Sequence, residues 1–339
     1  MTKFAGRVAD LGFGAGWRLV RMLPPGLAAA GFRAAADRTA RRAGPGARQL
    51  RANLARVVPQ AGDDELDDLV RQALRSYARY WCETFRLPAM DLDSIEAQAE
   101  TSVAGTEHLD AALAAGRGAV VALPHSGNFD VAGYWVTRRY GGFTTIVERL
   151  RPESLYRRFQ AYRESLGFEI LPLTGGERHP FAVLSARLRA NKVICLVSDR
   201  DLTASGLPVT FFGEQARMPG GPAFLAARTG AALLPVGSWF TEDGWGYRIH
   251  PPIPVAGKPD VPAATQALAD VFAGDIAAHP ADWHMTQKLW LSDTERAPSF
   301  DGPAVQESAV QNSALQDPAL QDPPLQDPPV HDPAFRDSA

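Results

Sequence analysis

The apolar positions of the chain follow two different rhythms, and the first runs through residues 48–92. Leucine, valine and aromatic residues recur there every three or four positions, at Leu66, Leu69, Val70, Leu74, Tyr77 and Trp81. This spacing places them on one face of an amphipathic helix. Asp63 and Asp64 stand where that helix would begin, and the helix dipole favours negative charge at this end. We therefore predict helices over "ARQLRANLARVV" and "DDELDDLVRQALRSYARYWCETFRL", with their apolar faces in the core.

From about residue 100 the second rhythm begins, and short apolar runs alternate with helical stretches. The apolar runs predict strands at 118–124, 143–148, 169–173, 193–198, 208–212, 232–240 and 247–251. Segments with helical character, such as "ESLYRRFQAYRESLG" and "HPFAVLSARLRAN", lie between several of them. Alternation of strands with helices is typical of an α/β domain. We expect a central mixed sheet flanked by helices.

Two further helices are predicted near the N-terminus, one within residues 9–24 and one after Pro24-Pro25. Both mix apolar residues with arginine, and residues 1–60 contain 11 Lys or Arg but only 2 Asp or Glu. Such helices either pack on the core or lie in a membrane interface. The excess of arginine favours the interface, because lipids of the inner leaflet are anionic. We expect these amphipathic helices to hold the protein on the cytoplasmic face of the plasma membrane.

The C-terminal end has a different composition from the rest of the chain. After about residue 297 the sequence becomes a five-residue repeat rich in Pro, Gln and Asp, "LQDPALQDPPLQDPPVHDPAFRD". Segments with so few apolar residues and so much proline do not build a core. We predict three parts: a helical N-terminal part at 1–95, an α/β domain at 96–297, and a disordered tail at 298–339.

Charge and cysteine content exclude several classes of protein. The formal net charge is only −3, which does not suggest a nucleic-acid binder. The two cysteines, Cys82 and Cys195, form neither a disulfide framework nor a metal site, and they are typical of a reducing cytoplasm. No run of apolar residues is long enough for a membrane-spanning helix, and Arg18 and Arg21 interrupt any signal-peptide core.

Candidate chemistry lies in "GRGAVVALPHSGNFDVAGYW", residues 116–135, where a buried strand ends at Pro124 and His125 follows. Ligand sites of open α/β sheets favour such strand ends. Asp130 falls in the first turn of the next helix, close enough in sequence to fold back on His125. A carboxylate on one ring nitrogen would leave the other as a general base. The alternative is a capping aspartate beside an incidental loop histidine.

Two other chemistries fit this stretch poorly. A Ser-His-Asp hydrolase would need a nucleophile turn, and the chain contains no Gly-x-Ser-x-Gly. A zinc site would need a second His or Cys at ligand spacing, which is missing. On the residues alone, two interpretations stay open: a His–Asp pair that removes the proton of a hydroxyl attacking an acyl carbon, and a capping aspartate beside an incidental histidine.

Three ordered blocks of the sequence resemble a known family. "LPHSGNFD" resembles the His-x4-Asp block of lysophospholipid-type glycerolipid acyltransferases, in the branch of the lipid A lauroyl/myristoyl acyltransferases. Residues 146–173 and 196–236 resemble later blocks of that branch, so that the likeness covers most of residues 100–250. Within the branch, the sequence resembles the actinobacterial phosphatidylinositol mannoside acyltransferases.

The resemblance implies an activity and its participants. A long acyl chain would pass from acyl-CoA to a mannose hydroxyl of a phosphatidylinositol mannoside, with no metal and no other cofactor. The partners would be acyl-CoA, the phosphatidylinositol mannoside acceptor and an anionic membrane surface, and no nucleic acid. The rivals are a lipid A-type enzyme that uses acyl-ACP and a lipid-binding protein without catalysis.

The resemblance also assigns residue roles. It implies His125 as general base and Asp130 as the group that orients it. It also implies that an acidic residue after the "LV" strand contacts the histidine from the other side. The family has Glu at that position, whereas this chain has Asp199, which is one methylene shorter. Either the backbone compensates for the difference, or Asp201 shares the work. Glu148 and Arg163 match positions of the substrate pocket.

Several residues near these blocks have two possible interpretations. Asp199-Arg200-Asp201 is either a charge cluster beside the site or a solvated loop. Arginines around one helix either meet the phosphates of the substrates or form a solvated face: Arg149, Arg151, Arg157, Arg158 and Arg163. Phe211, Phe212, Phe224 and Leu225 either line an acyl groove or belong to the core. We interpret His284, in "DWHMTQKLW", as a packing residue.

Overall fold

The structure is a computed structural model of the 339-residue chain. It describes residues 16–149, 153–175, 179–201 and 206–295. The predicted disordered tail lies outside the described residues. None of the described helices combines the length and the apolar character needed to cross a membrane.

The N-terminal part is helical, as predicted. A helical segment covers residues 16–22, and three longer helices follow: α1 (Pro25–Arg42), α2 (Pro45–Val57) and α3 (Asp63–Arg86). Proline at the first position starts both α1 and α2, where its missing N–H costs nothing. In α3 three acidic residues occupy the first turn and Arg86 the last, which suits the helix dipole. The apolar stripe of α3 is buried at Leu66, Val70 and Leu74, as its spacing predicts.

A seven-stranded mixed sheet forms the centre of the molecule. Its strands are β1 (Val103–Ala104), β2 (Ala119–Leu123), β3 (Phe143–Val147), β4 (Glu169–Pro172), β5 (Val193–Val197), β8 (Ala232–Phe240) and β9 (Trp245–Ile249), in the order β1-β9-β8-β2-β5-β3-β4. All neighbours in it run parallel except the β8–β9 pair. The predicted fold class is confirmed.

Side chains of the central strand β2 alternate between two hydrophobic cores. Val120 and Ala122 pack into the core on one side of the sheet, with α2, α3, α8 (Pro180–Arg189), α9 (Gly221–Thr229) and α10 (Val261–Ala278). Val121 and Leu123 pack into the core on the other side, with α4 (Leu92–Ser102), α5 (Thr106–Ala114), α6 (Phe129–Tyr140) and α7 (Glu153–Ser165). A strand that is covered on both faces has a continuous apolar sequence, and "GAVVALP" fits this pattern. The last described helix is α11 (Leu291–Glu295).

A separate hairpin joins β6 (Leu207–Phe211) to β7 (Glu214–Met218). Phe212 and Gly213 form its two-residue turn, and both have positive φ, 48° and 78°. Two successive positive φ angles match the strand twist of a tight hairpin. The sequence predicted β6 but not β7, because "EQARM" carries charges and lacks a β-branched run.

The structure agrees with all seven predicted strands and adds β1 and β7, which were not predicted. β1 has only two residues, too few for a detectable pattern. The division of the chain at residues 95 and 96 stays a prediction, and α4 runs through that position.

Candidate active site

The two central strands bring His125 and Asp199 together. β2 and β5 are parallel and adjacent, and their register pairs Leu123 with Val197. Each strand then ends, and His125 and Asp199 stand two residues beyond that last pair. The Nδ1 atom of His125 lies 2.5 Å from Oδ1 of Asp199, and the backbone N–H of His125 donates to Oδ2 at 3.0 Å. This is the carboxyl end of the sheet, where α/β proteins place their ligands.

Asp199 is completely buried, and the hydrogen-bond donors around it offset the free-energy cost of burying its charge. Besides the two contacts from His125, Trp283 donates its indole N–H to Oδ2 at 2.9 Å. Burial by itself would raise the pKa of the Asp199 carboxyl, but the charge of His125 and the hydrogen bonds from His125 and Trp283 outweigh it and lower that pKa. The carboxylate is therefore ionised and acts as an acceptor for Nδ1–H. That assigns the proton to Nδ1 and leaves Nε2 of His125 as the basic nitrogen.

The shorter side chain of Asp199 does not prevent this contact. For an Asp in place of the family's Glu, the sequence left two possibilities: the backbone compensates, or Asp201 shares the work. Because the register places the two backbones side by side, Asp199 reaches the ring and the backbone of His125 together. Asp201 accepts a hydrogen bond from the backbone N–H of Gly206 at 2.6 Å, and its part in orienting the histidine stays a prediction.

The loop that carries His125 is fixed by a crossing segment, residues 282–284. The backbone N–H of His284 donates to the carbonyl of His125 at 2.9 Å, and Gly127 donates to the carbonyl of Asp282 at 3.0 Å. Gly127 has a φ of 57°, and a β-carbon there would collide with Ser238. Glycine is thus required at this position, and the imidazole is presented from a rigid turn.

Asp130 does not contact His125 in this structure, contrary to the sequence-based expectation. Asn128 caps α6 by accepting from the N–H groups of Asp130 and Val131, both at 3.1 Å. The first helical turn then directs Asp130 towards α3 and α7. There its Oδ1 accepts from Arg163 Nε at 2.9 Å, and its Oδ2 accepts from Tyr80 and Thr84 at 3.3 and 3.2 Å.

The Asp130–Arg163 pair is a buried ion pair. Only 2% of the Asp130 side chain and 17% of the Arg163 side chain are exposed. Burial would lower the pKa of the Arg163 guanidinium, but the negative charge of Asp130 outweighs it and raises that pKa. Removing one partner would strand the other charge away from water. The pair therefore ties α6, and with it the His125 turn, to α7.

A cavity of about 360 Å³ opens beside His125, whose side chain is 36% exposed. One part of its wall is aromatic and comes from α3 and α7: Tyr77, Trp81, Tyr156 and Phe159. Another part is polar and comes from beyond the strand ends and from the residues that follow the crossing segment: Glu148, Arg200 and Gln287. An apolar cavity with a few polar groups is the usual form of a small-molecule site.

The predicted substrate residues fall into two groups. Glu148 and Arg163 line the cavity, and Oε2 of Glu148 lies 4.0 Å from Nη2 of Arg200. Arg149 does not line it; its guanidinium makes two hydrogen bonds to Glu153, each 2.8 Å. Asp201, engaged with Gly206, is likewise not part of the lining.

Burial decides how the four apolar residues and Arg157 are interpreted. Phe211, Phe224 and Leu225 belong to the core on the α10 side, and Phe212 packs against it, so the core alternative is confirmed for all four. Arg157 is exposed and lies 3.4 Å from Glu153, as expected for a solvated helix face. Arg151 lies outside the described residues. Among the described residues, no group of three or more His, Cys, Asp or Glu could hold a metal ion.

Sequence reasoning missed the roles of Trp283 and His284. Trp283 packs in the core and donates to Asp199, and His284 lines the cavity and binds the His125 carbonyl. His284 also contacts Ser76 through Nε2 at 2.9 Å. No signal in the sequence marks these contacts, since they join positions on distant elements.

Comparison with known proteins adds information on the class of protein. Residues 8–292 match the family model described as bacterial lipid A biosynthesis acyltransferase. The phosphatidylinositol mannoside acyltransferase of Mycolicibacterium smegmatis is 59% identical over 288 residues, which are 85% of this chain and 93% of that protein. The protein of the same name from Mycobacterium tuberculosis is 56% identical over 284 residues, 84% of this chain and 89% of that protein.

Proposed function

The chain belongs to the bacterial lipid A biosynthesis acyltransferase family, and on that premise we propose that it transfers a long acyl chain from acyl-CoA to a mannose hydroxyl of phosphatidylinositol mannosides. The observation that carries the proposal is an imidazole held by a buried carboxylate at the mouth of a partly apolar cavity. The names of the two relatives supply the acceptor.

In this mechanism His125 is the general base. Asp199 holds the proton on Nδ1, so Nε2 takes the proton of the sugar hydroxyl. The hydroxyl oxygen forms a bond to the thioester carbon, and a tetrahedral oxyanion results. That intermediate collapses with cleavage of the carbon–sulfur bond, and the CoA thiolate leaves and receives the proton from His125. Metal ions and a covalent acyl-enzyme have no part in these steps.

Asp199 and Asp130 have separate tasks in this proposal. Asp199 orients the imidazole and stabilises its positive charge after proton transfer. Asp130 acts one step further away, because its partners are Arg163, Tyr80 and Thr84 rather than the imidazole. It positions the first turn of α6, and it keeps the Arg163 guanidinium at the cavity wall.

The two walls of the cavity suit the two substrates. The aromatic wall of Tyr77, Trp81, Tyr156 and Phe159 offers an apolar path for the acyl chain. A second cavity of about 110 Å³ lies beside α6 and extends that path in this proposal. Its lining is mostly apolar but includes the Asp130–Arg163 pair, and it shares with the first cavity Phe129, Ile146, Val147, Arg163 and Val197. Glu148, Arg163 and Arg200 provide charged and hydrogen-bonding groups for a glycolipid headgroup.

The N-terminal helices support a proposal of membrane association. Among the described residues, the exposed large apolar side chains all fall between positions 19 and 27: Leu19 (59%), Met22 (82%) and Leu27 (59%). Trp17 fixes this segment to the body of the protein through a 3.1 Å hydrogen bond to the Phe85 carbonyl and contacts with Phe159 and Tyr162. Exposed arginines such as Arg18 and Arg33 accompany it. We propose that this face enters the anionic cytoplasmic leaflet of the plasma membrane, beside the aromatic wall of the cavity.

A product assay tests the proposed function. Purified protein and its His125→Ala variant are each incubated with labelled palmitoyl-CoA and phosphatidylinositol mannosides, and the lipids are identified by mass spectrometry. We expect an acylated mannoside with the unmodified protein only. Parallel reactions with palmitoyl-ACP identify the donor. Failure to transfer from either donor to the mannoside would refute the proposed function.

A further inference from the structure

The His284 side chain belongs to a buried relay that the proposed mechanism does not use. Its Nε2 atom lies 2.9 Å from Oγ of Ser76, and that Oγ lies 2.6 Å from Oδ1 of Asp282. The other oxygen of Asp282 accepts the backbone N–H of Phe240 at 3.0 Å. The three side chains come from α3 and from the crossing segment that fixes His125.

The relay determines which nitrogen of His284 carries the proton. The Asp282 carboxylate is an acceptor, so the Ser76 hydroxyl donates its hydrogen to it. The lone pair of Ser76 then accepts from Nε2–H of His284. Burial lowers the pKa of His284 to about 3, with a further contribution from nearby His125, so the ring is neutral. In this tautomer Nδ1 has no proton and is a pure acceptor.

The imidazole is placed at the cavity and not deep in the core. His284 is part of the cavity lining, and its backbone N–H binds the carbonyl of His125 at 2.9 Å. Among the described residues Nδ1 has no hydrogen-bond partner. The ring contacts three aromatic rings, at centroid distances of 5.0 Å to Tyr77, 5.9 Å to Tyr80 and 6.4 Å to Phe240.

A packing role alone does not account for a histidine here. Ser76 and Asp282 satisfy each other without the imidazole, and an aromatic hydrocarbon ring would fill the space beside the three aromatic rings. Burying a polar ring is costly unless its polar atoms are used. Nε2 is used by Ser76. Nδ1 is an acceptor without a partner among the described residues, on a side chain that lines the cavity.

We propose that Nδ1 of His284 accepts a hydrogen bond from a second hydroxyl of the acceptor sugar, one that is not acylated, and thereby selects which hydroxyl reaches His125. The inference rests on the proposed function and adds a specificity-determining residue to it. A site built to bind a hydroxyl strongly rejects an analogue that lacks it, because the protein group is then left unpaired.

Two substitutions separate the two nitrogens of the ring. His284→Gln places an amide N–H near the position of Nε2 and keeps the contact with Ser76, but it has no atom at Nδ1. His284→Asn places its amide oxygen near Nδ1 but does not reach Ser76. We expect the Gln variant to raise KM for the mannoside by roughly tenfold or more, in line with a lost hydrogen bond in a buried site. The Asn variant should retain more of the native KM, and KM for palmitoyl-CoA should change in neither.

Deoxy analogues of the mannoside provide the second readout. For the native protein, one analogue that lacks a single neighbouring hydroxyl should be a poor acceptor. In His284→Gln that analogue and the full mannoside should react alike, because the group that told them apart is missing. Ser76→Ala removes the hydroxyl that keeps the proton of His284 on Nε2. It should therefore weaken the discrimination among deoxy analogues, but less than His284→Gln does.

The outcomes separate this inference from the proposed function. If the native protein does not acylate the mannoside, the proposed function fails, and the inference fails with it. If the native protein acylates it and His284→Gln keeps the native KM and the native discrimination among deoxy analogues, only the inference is overturned. Equal losses in the Gln and Asn variants, with an altered palmitoyl-CoA KM, would indicate a structural role and also overturn it.

Discussion

The Nδ1 atom of His125 lies 2.5 Å from a carboxylate oxygen of Asp199, although 74 positions separate the two residues in the chain. Parallel pairing of β2 with β5 creates this contact, because both strands end at the same edge of the sheet. The pairing of the two strands therefore orients the imidazole, and the helix that follows His125 does not.

Replacement of His125 by alanine should abolish most of the activity without unfolding the protein. General-base catalysis contributes about 10²–10⁴-fold, and we expect a loss of kcat in that range. The variant takes the imidazole away from the fully buried Asp199 carboxylate but leaves the backbone N–H of residue 125 and Trp283 as donors, so the unfolding midpoint should fall while the protein stays folded. Steady-state kinetics measures the loss of kcat, and thermal melting measures the change in the unfolding midpoint. A variant with near-normal kcat would contradict the mechanism.

Asp199→Asn should reduce kcat by a similar factor, because an amide no longer fixes the proton on Nδ1 or stabilises the imidazolium. Asp199→Glu should keep more activity, since it retains the charge and is the residue that the family resemblance implies here. The site is fully buried, so the extra methylene should cost about 1–3 kcal/mol in the free energy of unfolding. Kinetics and urea unfolding of both variants test this order.

The Asp199 carboxylate should also make stability depend on pH. Its pKa in the folded protein lies below the ordinary value of 3.8, so its contribution is present above that pH and is lost as the pH falls through the folded pKa. The difference in unfolding free energy between the native protein and Asp199→Asn should therefore be larger at neutral pH than in strong acid. Urea titrations across that range measure it. A constant difference would show that the carboxylate is not stabilised by folding.

Asp130→Asn should destabilise the fold more than it disturbs the imidazole. The variant leaves the buried Arg163 guanidinium without its carboxylate, and such losses cost about 3–5 kcal/mol. The double variant with Arg163→Gln should be less destabilised than the sum of the single variants. Imidazole NMR signals of His125 should shift strongly in Asp199→Asn and weakly in Asp130→Asn. The reverse order would restore Asp130 as the orienting residue.

Two buried tryptophans form a matched pair for testing the third donor to Asp199. Trp283 donates to Asp199 and Trp290 donates to the Phe211 carbonyl, both at 2.9 Å and both fully buried. Trp283→Phe should lower kcat by roughly tenfold, because hydrogen bonds to charged groups are strong, and should raise the Asp199 pKa. Trp290→Phe should lower the melting temperature but leave kcat of the remaining folded protein unchanged. Equal kcat losses would contradict a specific role for Trp283.

The exposed apolar residues of the N-terminal helices should control binding to vesicles. Changing Leu19, Met22 and Leu27 together to serine removes their apolar surface, and we expect at least roughly tenfold weaker binding to anionic vesicles. As a control, Ala29, Ala30 and Ala34 are exposed on α1, the helix that carries Leu27, and offer little apolar surface. Co-sedimentation of both triple variants, with zwitterionic vesicles alongside, measures the difference. Native-like binding of the first variant would refute the proposed membrane face.

Some features of this protein follow from its sequence because they depend on neighbours in the chain. The seven strands came from local apolar runs, and the stripe of α3 came from its three- and four-residue spacing. The position of His125 directly after a buried strand indicated a site at the end of the sheet. The resemblance of the ordered blocks predicted the family, which the comparisons confirm.

Other features were decided only by tertiary structure, because they depend on which distant elements become neighbours. Asp130 and Asp199 were both plausible partners of His125, and local sequence favoured the nearer one. Pairing of β2 with β5 gave the contact to Asp199, while α3 and α7 presented Tyr80, Thr84 and Arg163 to Asp130. The crossing segment brought Trp283 and His284 to the site from the end of the domain. A periodic pattern predicts an element and its buried face, but the partner of a buried charge is set by the packing of elements that the pattern does not relate.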